Sequence, residues 1–399
     1  MKLFFAVLAA LCLSLASAQT AIPFWHSQDT AEALVQSFAD EFNASQSEYE
    51  IVPQYTGSYQ ESALKLAAAL GGGNVPALFD AEVTVFPRLS EEGGLADLTD
   101  LADALPKTLT SDFYPALWGY GVLNDRRVGL PWSMSMPVLF YNQSVFNQFG
   151  LAPPTTWTDF EAAAARLTTR NTKGYIDVAI AFIFETLVTT RGGQVVTDDG
   201  RPNFDSPEAI DALQMLQRLA KERRSIPRGA GELDQALVDF ARTKGMMALA
   251  SEAFFPQGER FSVAFEVAST PVPTGASQAV PLMGSQLVVL KSASEQQRRG
   301  AFAFWEFLMR PDVQARWVEA SYTLPVSRSV VDALQPWYAA APNRSSALKQ
   351  LEHAVYRPRV GAYVVWQGYL QEAIERATKG GADPATVLKE AQRRALEGR

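Results

Sequence analysis

Hydrophobic positions along the chain follow two periods, and each period predicts a different element. Short apolar runs predict strands, whereas apolar residues three and four positions apart predict helices with one buried face. The predicted strands are Ile22–Trp25, Tyr49–Pro53, Ala77–Asp80, Val138–Tyr141 and Gly284–Leu290. The predicted helices are Leu34–Phe42, Ser62–Leu70, Phe160–Leu167, Ile210–Lys221, Phe302–Met309 and a charged helix from Pro384. This alternation predicts an α/β protein with mostly parallel strands and helices on both sheet faces.

Two polar segments mark helix ends. The run Gly71–Asn74 follows an apolar helix but lacks the lysine and the Ser/Thr of a phosphate-binding loop. It therefore predicts a helix C-cap. Thr156 and Asp159 have capping-box spacing before Phe160 and predict a helix start.

The N-terminus predicts export. MKLFFAVLAALCLSLASAQT has an early Lys2, an apolar stretch and a small-residue ending, which is the pattern of a signal peptide over residues 1–18 with cleavage after Ala18. Leu11 before Cys12 does not fit a lipoprotein signal, which needs a small residue there. The mature protein is therefore expected to be periplasmic and to lack cysteine.

Composition narrows the class of partner. The 399 residues suit two domains after signal removal, and 47% hydrophobic residues support real cores. The formal net charge is −8, and it becomes one unit more negative without Lys2. This balance disfavours nucleic acid and anionic membranes and leaves small solutes and proteins as partners.

No catalytic motif stands out. His26 and His353 have no Asp, Glu or Cys at metal-ligand spacing, and the sequence contains no nucleophile elbow and no HExxH. We therefore expect no metal, no cofactor and no enzymatic activity. A glycosidase with a carboxylate pair stays an alternative, because such pairs assemble from distant positions.

Three stretches resemble a known family. AIPFWHS at 21–27, VPQYTGSYQES at 52–62 and PWSMSMPVLFYN at 131–142 are similar to extracytoplasmic solute-binding proteins of ABC importers, specifically the glycerol-3-phosphate-binding type. The likeness covers nearly the whole mature chain and is poorest over 172–201.

The resemblance implies a fold and a partner. The fold is an α/β two-lobed periplasmic-binding-protein fold (Venus flytrap) with a ligand cleft between lobes that close by hinge motion. Its partner is the transmembrane part of an ABC permease, and the protein is expected to be a monomer. The implied N-terminal lobe is 19–129 with 281–327, and the C-terminal lobe is 130–280 with 328–399.

The resemblance also implies ligand-binding residues. Glu82 would accept bonds from glycerol hydroxyls, the N–H of Gly284 would approach an anion, and Arg359 would hold phosphate, with Arg357 as a close competitor. Ser133 precedes Ser135 in a segment whose hydroxyls can bind phosphate or sugar without adding charge. Thr323 stands where the family usually has tyrosine, beside Tyr322. The implied set is Tyr59, Glu82, Ser135, Ser251, Gly284, Thr323 and Arg359.

One departure bears on the ligand. Ala179 and Phe182 stand where the family usually has two tryptophans, which predicts a roomier pocket away from the phosphate. The predicted ligand is glycerol-3-phosphate or a glycerophosphodiester. The alternatives are an oligosaccharide, stacked on Tyr59, Trp132 and Trp366, and a secreted glycoside hydrolase.

Overall fold

The computed structural model describes residues 19–256 and 265–398, and the predicted signal peptide lies outside the described residues. The strands are β1 (Thr20–His26), β2 (Tyr49–Tyr55), β3 (Leu78–Glu82), β4 (Val122–Leu123), β5 (Arg126–Arg127), β6 (Leu130–Ser135), β7 (Pro137–Asn142), β8 (Tyr175–Val178), β9 (Ser225–Arg228), β10 (Met247–Ser251), β11 (Val267–Thr270), β12 (Val280–Pro281), β13 (Met283–Val289) and β14 (Ala354–Val355).

The α-helices connect and cover these strands. They are Glu32–Ser45, Tyr59–Gly72, Val85–Glu91, Thr99–Asp103, Lys107–Thr110, Pro115–Tyr120, Gln143–Phe149, Trp157–Leu167, Ala181–Thr189, Pro207–Lys221, Leu233–Ala241, Glu295–Leu308, Pro311–Ser321, Arg328–Ala333, Gln335–Ala340, Tyr363–Thr378 and Pro384–Glu397. Within the described ranges, no helix is long and apolar enough to span a membrane.

Ten of these strands form two five-stranded sheets, and each of these sheets with its helices defines a lobe; β4 pairs with β5, and β12 pairs with β14. The first lobe has the strand order β2-β1-β3-β13-β6, and the second has β11-β7-β10-β8-β9. The α/β two-lobed fold is therefore confirmed.

The strands are mostly parallel, as predicted: in each five-stranded sheet four strands run in one direction, and one strand, β13 or β7, is reversed. In the first sheet β1 pairs in parallel with β2 and β3, but β13 is antiparallel to both β3 and β6. In the second sheet β7 is antiparallel to β10 and β11. Strands linked by a helical crossover run parallel, whereas β13 and β7 enter their sheets from the other lobe and run in the opposite direction.

The first passage between the lobes falls at Met136. β6 ends at Ser135 in the first sheet, and β7 begins at Pro137 in the second. Leu130–Ser135, which the expected limits gave to the C-terminal lobe, thus lies in the first sheet. We propose that the first lobe also includes Ser327–Leu334, because Ser329 donates to Asp112 at 2.6 Å from its hydroxyl.

Helix caps appear where the sequence predicts them. Gly73 ends the helix Tyr59–Gly72 with φ of 80°, which confirms a C-cap rather than a phosphate loop. This helix begins three residues before the apolar period does, because Ser58 and Glu61 form a capping box. Thr156 accepts from the Asp159 N–H at 3.1 Å, as predicted.

Candidate functional site

Three strands of the first lobe present polar side chains at one edge of their sheet. β3, β13 and β6 are neighbours, and their register sets Ser285 opposite Glu82 and Met283 opposite Ser135. Hydrogen bonds connect this edge to Tyr59, to Ser251 and to the turn that carries Thr323.

Tyr59 belongs to a polar cluster of the first lobe. It is the first residue of its helix, so the capping box before it fixes where its side chain starts. Its hydroxyl accepts from Gln28 Nε2 at 2.9 Å and donates to Ser285 Oγ at 3.1 Å. Gln28 Nε2 also donates to Asp80 Oδ2 at 2.7 Å. Burial raises the pKa of Asp80 to about 6, against the opposing hydrogen bonds from Ser285, Gln28 and the Ser27 N–H.

Arg357 joins acids of both lobes. Its Nη1 donates to Oε1 of Glu82, at the end of β3, at 2.9 Å. Its Nε and Nη2 each donate at 2.8 Å to the two carboxylate oxygens of Glu185, on the helix Ala181–Thr189 of the second lobe. Although burial opposes the charge, Glu185 and Glu82 hold the pKa of Arg357 well above its ordinary value. We name these three residues the arginine centre.

Neighbouring side chains fix the arginine centre from both sides. Glu82 Oε2 accepts from the backbone N–H of Thr84 at 2.8 Å and from its hydroxyl. Tyr363 O–H donates to Glu185 Oε1, and Arg357 Nη2 donates to Gln367 Oε1 at 2.8 Å. The carboxylate orientations are therefore set before any ligand arrives.

Ser135 and Ser251 meet where the chain crosses between lobes. Their hydroxyl oxygens lie 2.9 Å apart, and both residues are buried. Ser251 ends β10 and also accepts from the Ala253 N–H at 3.2 Å, capping a short 3-10 turn. The structure brings this predicted pair together, and its role toward a ligand stays a prediction.

Thr323 lies at the same crossing. Its hydroxyl is 2.8 Å from that of Ser321, within its own turn. The next residue, Leu324, donates its N–H to the carbonyl of Met134 at 2.7 Å and so fixes the turn on β6. Tyr322 packs against Phe255 with parallel rings 5.1 Å apart.

Gly284 has a structural reason to be glycine. Its φ is 100°, and an added Cβ would lie 2.0 Å from the carbonyl oxygen of Ser133. The register of β13 against β6 shifts here. The close approach of two strands thus requires glycine, whether or not its N–H also meets a ligand.

Arg359 lies apart from the other six predicted residues. Its Nη1 donates to the carbonyl of Val122 at 3.0 Å, and its guanidinium lies 4.3 Å from the ring centre of Tyr356. The ion pair with Glu82 is made by Arg357. The phosphate role of Arg359 stays a prediction.

A cavity of about 660 Å³ opens beside the arginine centre. It lies between β4 of the first lobe, the segment 192–200 of the second, and 355–360. Its charged lining consists of two acids and two bases: Glu185, Asp198, Arg357 and Arg359. No cluster of three or more potential metal ligands occurs among the residues that the structure describes.

Sequence reasoning missed Glu185 and ranked Arg357 second. The available signal for Glu185 was a lone acid in an otherwise apolar helix, AFIFETLVT. A buried charge needs a partner, but no local sequence pattern predicts that the partner of Glu185 is Arg357, 172 residues away.

Comparison with known proteins agrees with this architecture. The sn-glycerol-3-phosphate-binding periplasmic protein UgpB of Escherichia coli K12 is 26% identical over 408 positions, covering 95% of this chain and 92% of the relative. An ABC substrate-binding protein of Listeria monocytogenes in complex with cycloalternan superposes with a TM-score of 0.85 at 21% identity, covering 95% and 99% of the chains. UgpB of Mycobacterium tuberculosis in complex with glycerophosphocholine gives 0.84 at 22% identity, covering 95% and 98%.

The model of the bacterial extracellular solute-binding protein family matches residues 37–345. The chain belongs to this family, and its role is that of the substrate-binding component of an ABC transporter. Its relatives are solute-binding proteins with a transport role outside the cytoplasm.

Proposed function

We propose that this protein captures a net-neutral, polyhydroxylated solute, a sugar or a polyol, and delivers it to a membrane permease. The observation that carries the proposal is the arginine centre. Arg357, which pairs with the predicted ligand residue Glu82, is bound by two carboxylates, Glu82 and Glu185.

Charge decides between a sugar and a phosphate monoester. A monoester carries about −1.5 to −2 at neutral pH. At the arginine centre it would meet one cation and two anions, Glu82 and Glu185, so the local field opposes it. A neutral solute faces no such repulsion, and its hydroxyls can donate charge-assisted hydrogen bonds to carboxylates.

The polar groups at the strand edge, which lie outside the cavity lining, suit hydroxyls equally. Ser135 and Ser251 both donate and accept, and Tyr59 adds a phenol at the same strand edge. The cavity of about 660 Å³ falls within the usual range for small-molecule sites. It is wide enough for more than a three-carbon ligand.

A zwitterionic glycerophosphodiester is the second candidate. Arg359 lines the same cavity and, among the residues that the structure describes, donates one side-chain hydrogen bond, to Val122, so it has further donors for a phosphate. A choline cation could lie near Asp198 or Glu185. Such a ligand is neutral overall, in agreement with the two acids and two bases of the lining.

Native mass spectrometry of the protein purified from its own organism tests the proposal. We expect a copurified ligand with the mass of a sugar, a polyol or a zwitterionic diester. A bound phosphate monoester would refute it. Incubation with glycans should give no turnover, and hydrolysis would favour the glycoside hydrolase alternative instead.

A further inference from the structure

We propose that Glu185 determines the charge selectivity of the cleft by occupying Arg357 and so excluding phosphate monoesters. This inference rests on the proposed function and assigns its selectivity to one side chain. Glu185 is not among the ligand-binding residues that the family resemblance implies.

The geometry gives Glu185 the larger share of Arg357. Both carboxylate oxygens accept from it, at 2.8 Å each, in a bidentate pair. With Glu82 and Gln367, four of the five N–H groups of the guanidinium are engaged. Within the described part of the chain these contacts leave at most one donor, which is too few for the forked contact by which arginine binds phosphate.

A buried ion pair is weak evidence that stability selected the carboxylate at position 185. The helix Ala181–Thr189 is apolar apart from its threonines and Glu185, and the side chain of Glu185 is 3% exposed. Desolvation usually cancels much of the attraction in such a buried pair, and well-packed apolar residues are often as stable. Stability alone therefore gives a weak reason for an acid here.

The position of Glu185 couples it to the ligand space. Glu185 and Thr189 lie one turn apart on the same helix face, and both line the cavity. The carboxylate thus acts in two ways: it removes donors from Arg357, and its charge repels an anion that enters the cavity.

The test compares wild type, Glu185→Gln and a matched control by isothermal titration calorimetry. Glutamine keeps the size of the side chain and removes its charge. We expect Glu185→Gln to gain at least about tenfold in affinity for glycerol-3-phosphate, or about 1.4 kcal/mol. Its affinity for the neutral solute that copurifies with wild type should fall, because the charged acceptor is lost.

Asp239→Asn is the control. Asp239 is a fully buried acid of the same lobe that accepts from Arg228 Nε at 2.9 Å, outside the cavity lining. It should leave the affinity for glycerol-3-phosphate unchanged. If Glu185 has a purely structural role, the affinities of Glu185→Gln for both ligands should fall together. If Glu185 determines selectivity, the two affinities should change in opposite directions.

Urea unfolding checks that each variant folds. If Glu185→Gln does not fold, Glu185→Asp replaces it in the calorimetric test. The shorter side chain keeps the charge but draws back from Arg357, so we expect a smaller gain of about threefold, from the freed donors. Unchanged affinity for glycerol-3-phosphate in the folded variant overturns the inference alone. Wild type that already prefers glycerol-3-phosphate to neutral solutes overturns the proposed function as well.

Discussion

Two arginines two residues apart have different surroundings. Arg357 is buried between Glu82 and Glu185, while Arg359 is partly exposed and contacts Val122 and Tyr356. A buried pair that loses one partner leaves an uncompensated charge, which typically costs about 3–5 kcal/mol. Exposed charges contribute far less.

We therefore expect Arg357→Ala to lower the free energy of unfolding by about 3–5 kcal/mol and Arg359→Ala by under about 1 kcal/mol. Urea unfolding of both variants measures this. If a diester is the ligand, Arg359→Ala should also weaken the binding of glycerophosphocholine by about 1.5–3 kcal/mol. Equal stability losses would contradict the assignment of Arg357 as the buried centre.

Asp177 provides a pH-dependent test. Neither of its carboxylate oxygens has a hydrogen-bond partner in the described part of the chain, and burial raises its pKa to about 7. A raised carboxyl pKa means that stability is full below the unfolded pKa, about 3.9, and is lost as pH rises toward 7. The change in the free energy of unfolding caused by Asp177→Asn should therefore be more favourable at pH 8 than at pH 5. The difference should be a few kcal/mol, at about 1.4 kcal/mol per pKa unit.

Thermal and urea unfolding of wild type and Asp177→Asn at both pH values measure this difference. Asp80 and Glu252, whose pKa values burial also raises, are present in both proteins and cancel in the comparison. A stability difference that does not change with pH would mean that Asp177 titrates normally.

At the scale of elements, the contact between β6 and β13 is the most constrained part of the site. We expect Gly284→Ala to cost more than about 2 kcal/mol, because the left-handed φ and the contact with Ser133 both oppose a side chain. Gly150→Ala is the control, since φ there is 61° and nothing lies within 4 Å of the added Cβ. It should cost about 1–2 kcal/mol. A smaller loss at Gly284 than at Gly150 would contradict the close strand approach.

Elements with local signals were predictable, and contacts between distant segments were not. The helix Tyr59–Gly72 follows from its apolar period and its glycine end; its first turn, set by the cap at Ser58, and its last two residues lay outside the predicted range. The reversed direction of β13 and β7 was not predicted, because hydrophobic periodicity carries no information on strand direction. The resemblance supplied Glu82, but the engagement of Arg357 by Glu185 depends on how the two lobes meet, which the sequence pattern does not encode.

At the scale of the whole molecule, apolar contacts and the arginine centre connect the two lobes. A continuous core extends from Phe79 and Phe86 of the first lobe to Phe160 and Tyr175 of the second. The arginine centre joins Glu82 to Glu185 across the lobes. A ligand that replaces part of this network with its own hydrogen bonds can shift the balance between open and closed lobes, as hinge-closing binding proteins require.

Small-angle X-ray scattering during a ligand titration tests the central claim most directly, because it reports binding and lobe closure together. The titrants are the solute identified by native mass spectrometry and, separately, glycerol-3-phosphate. The account predicts that the radius of gyration falls with the net-neutral solute and stays constant with glycerol-3-phosphate. Compaction with glycerol-3-phosphate alone, or no compaction despite binding of the neutral solute, would contradict it.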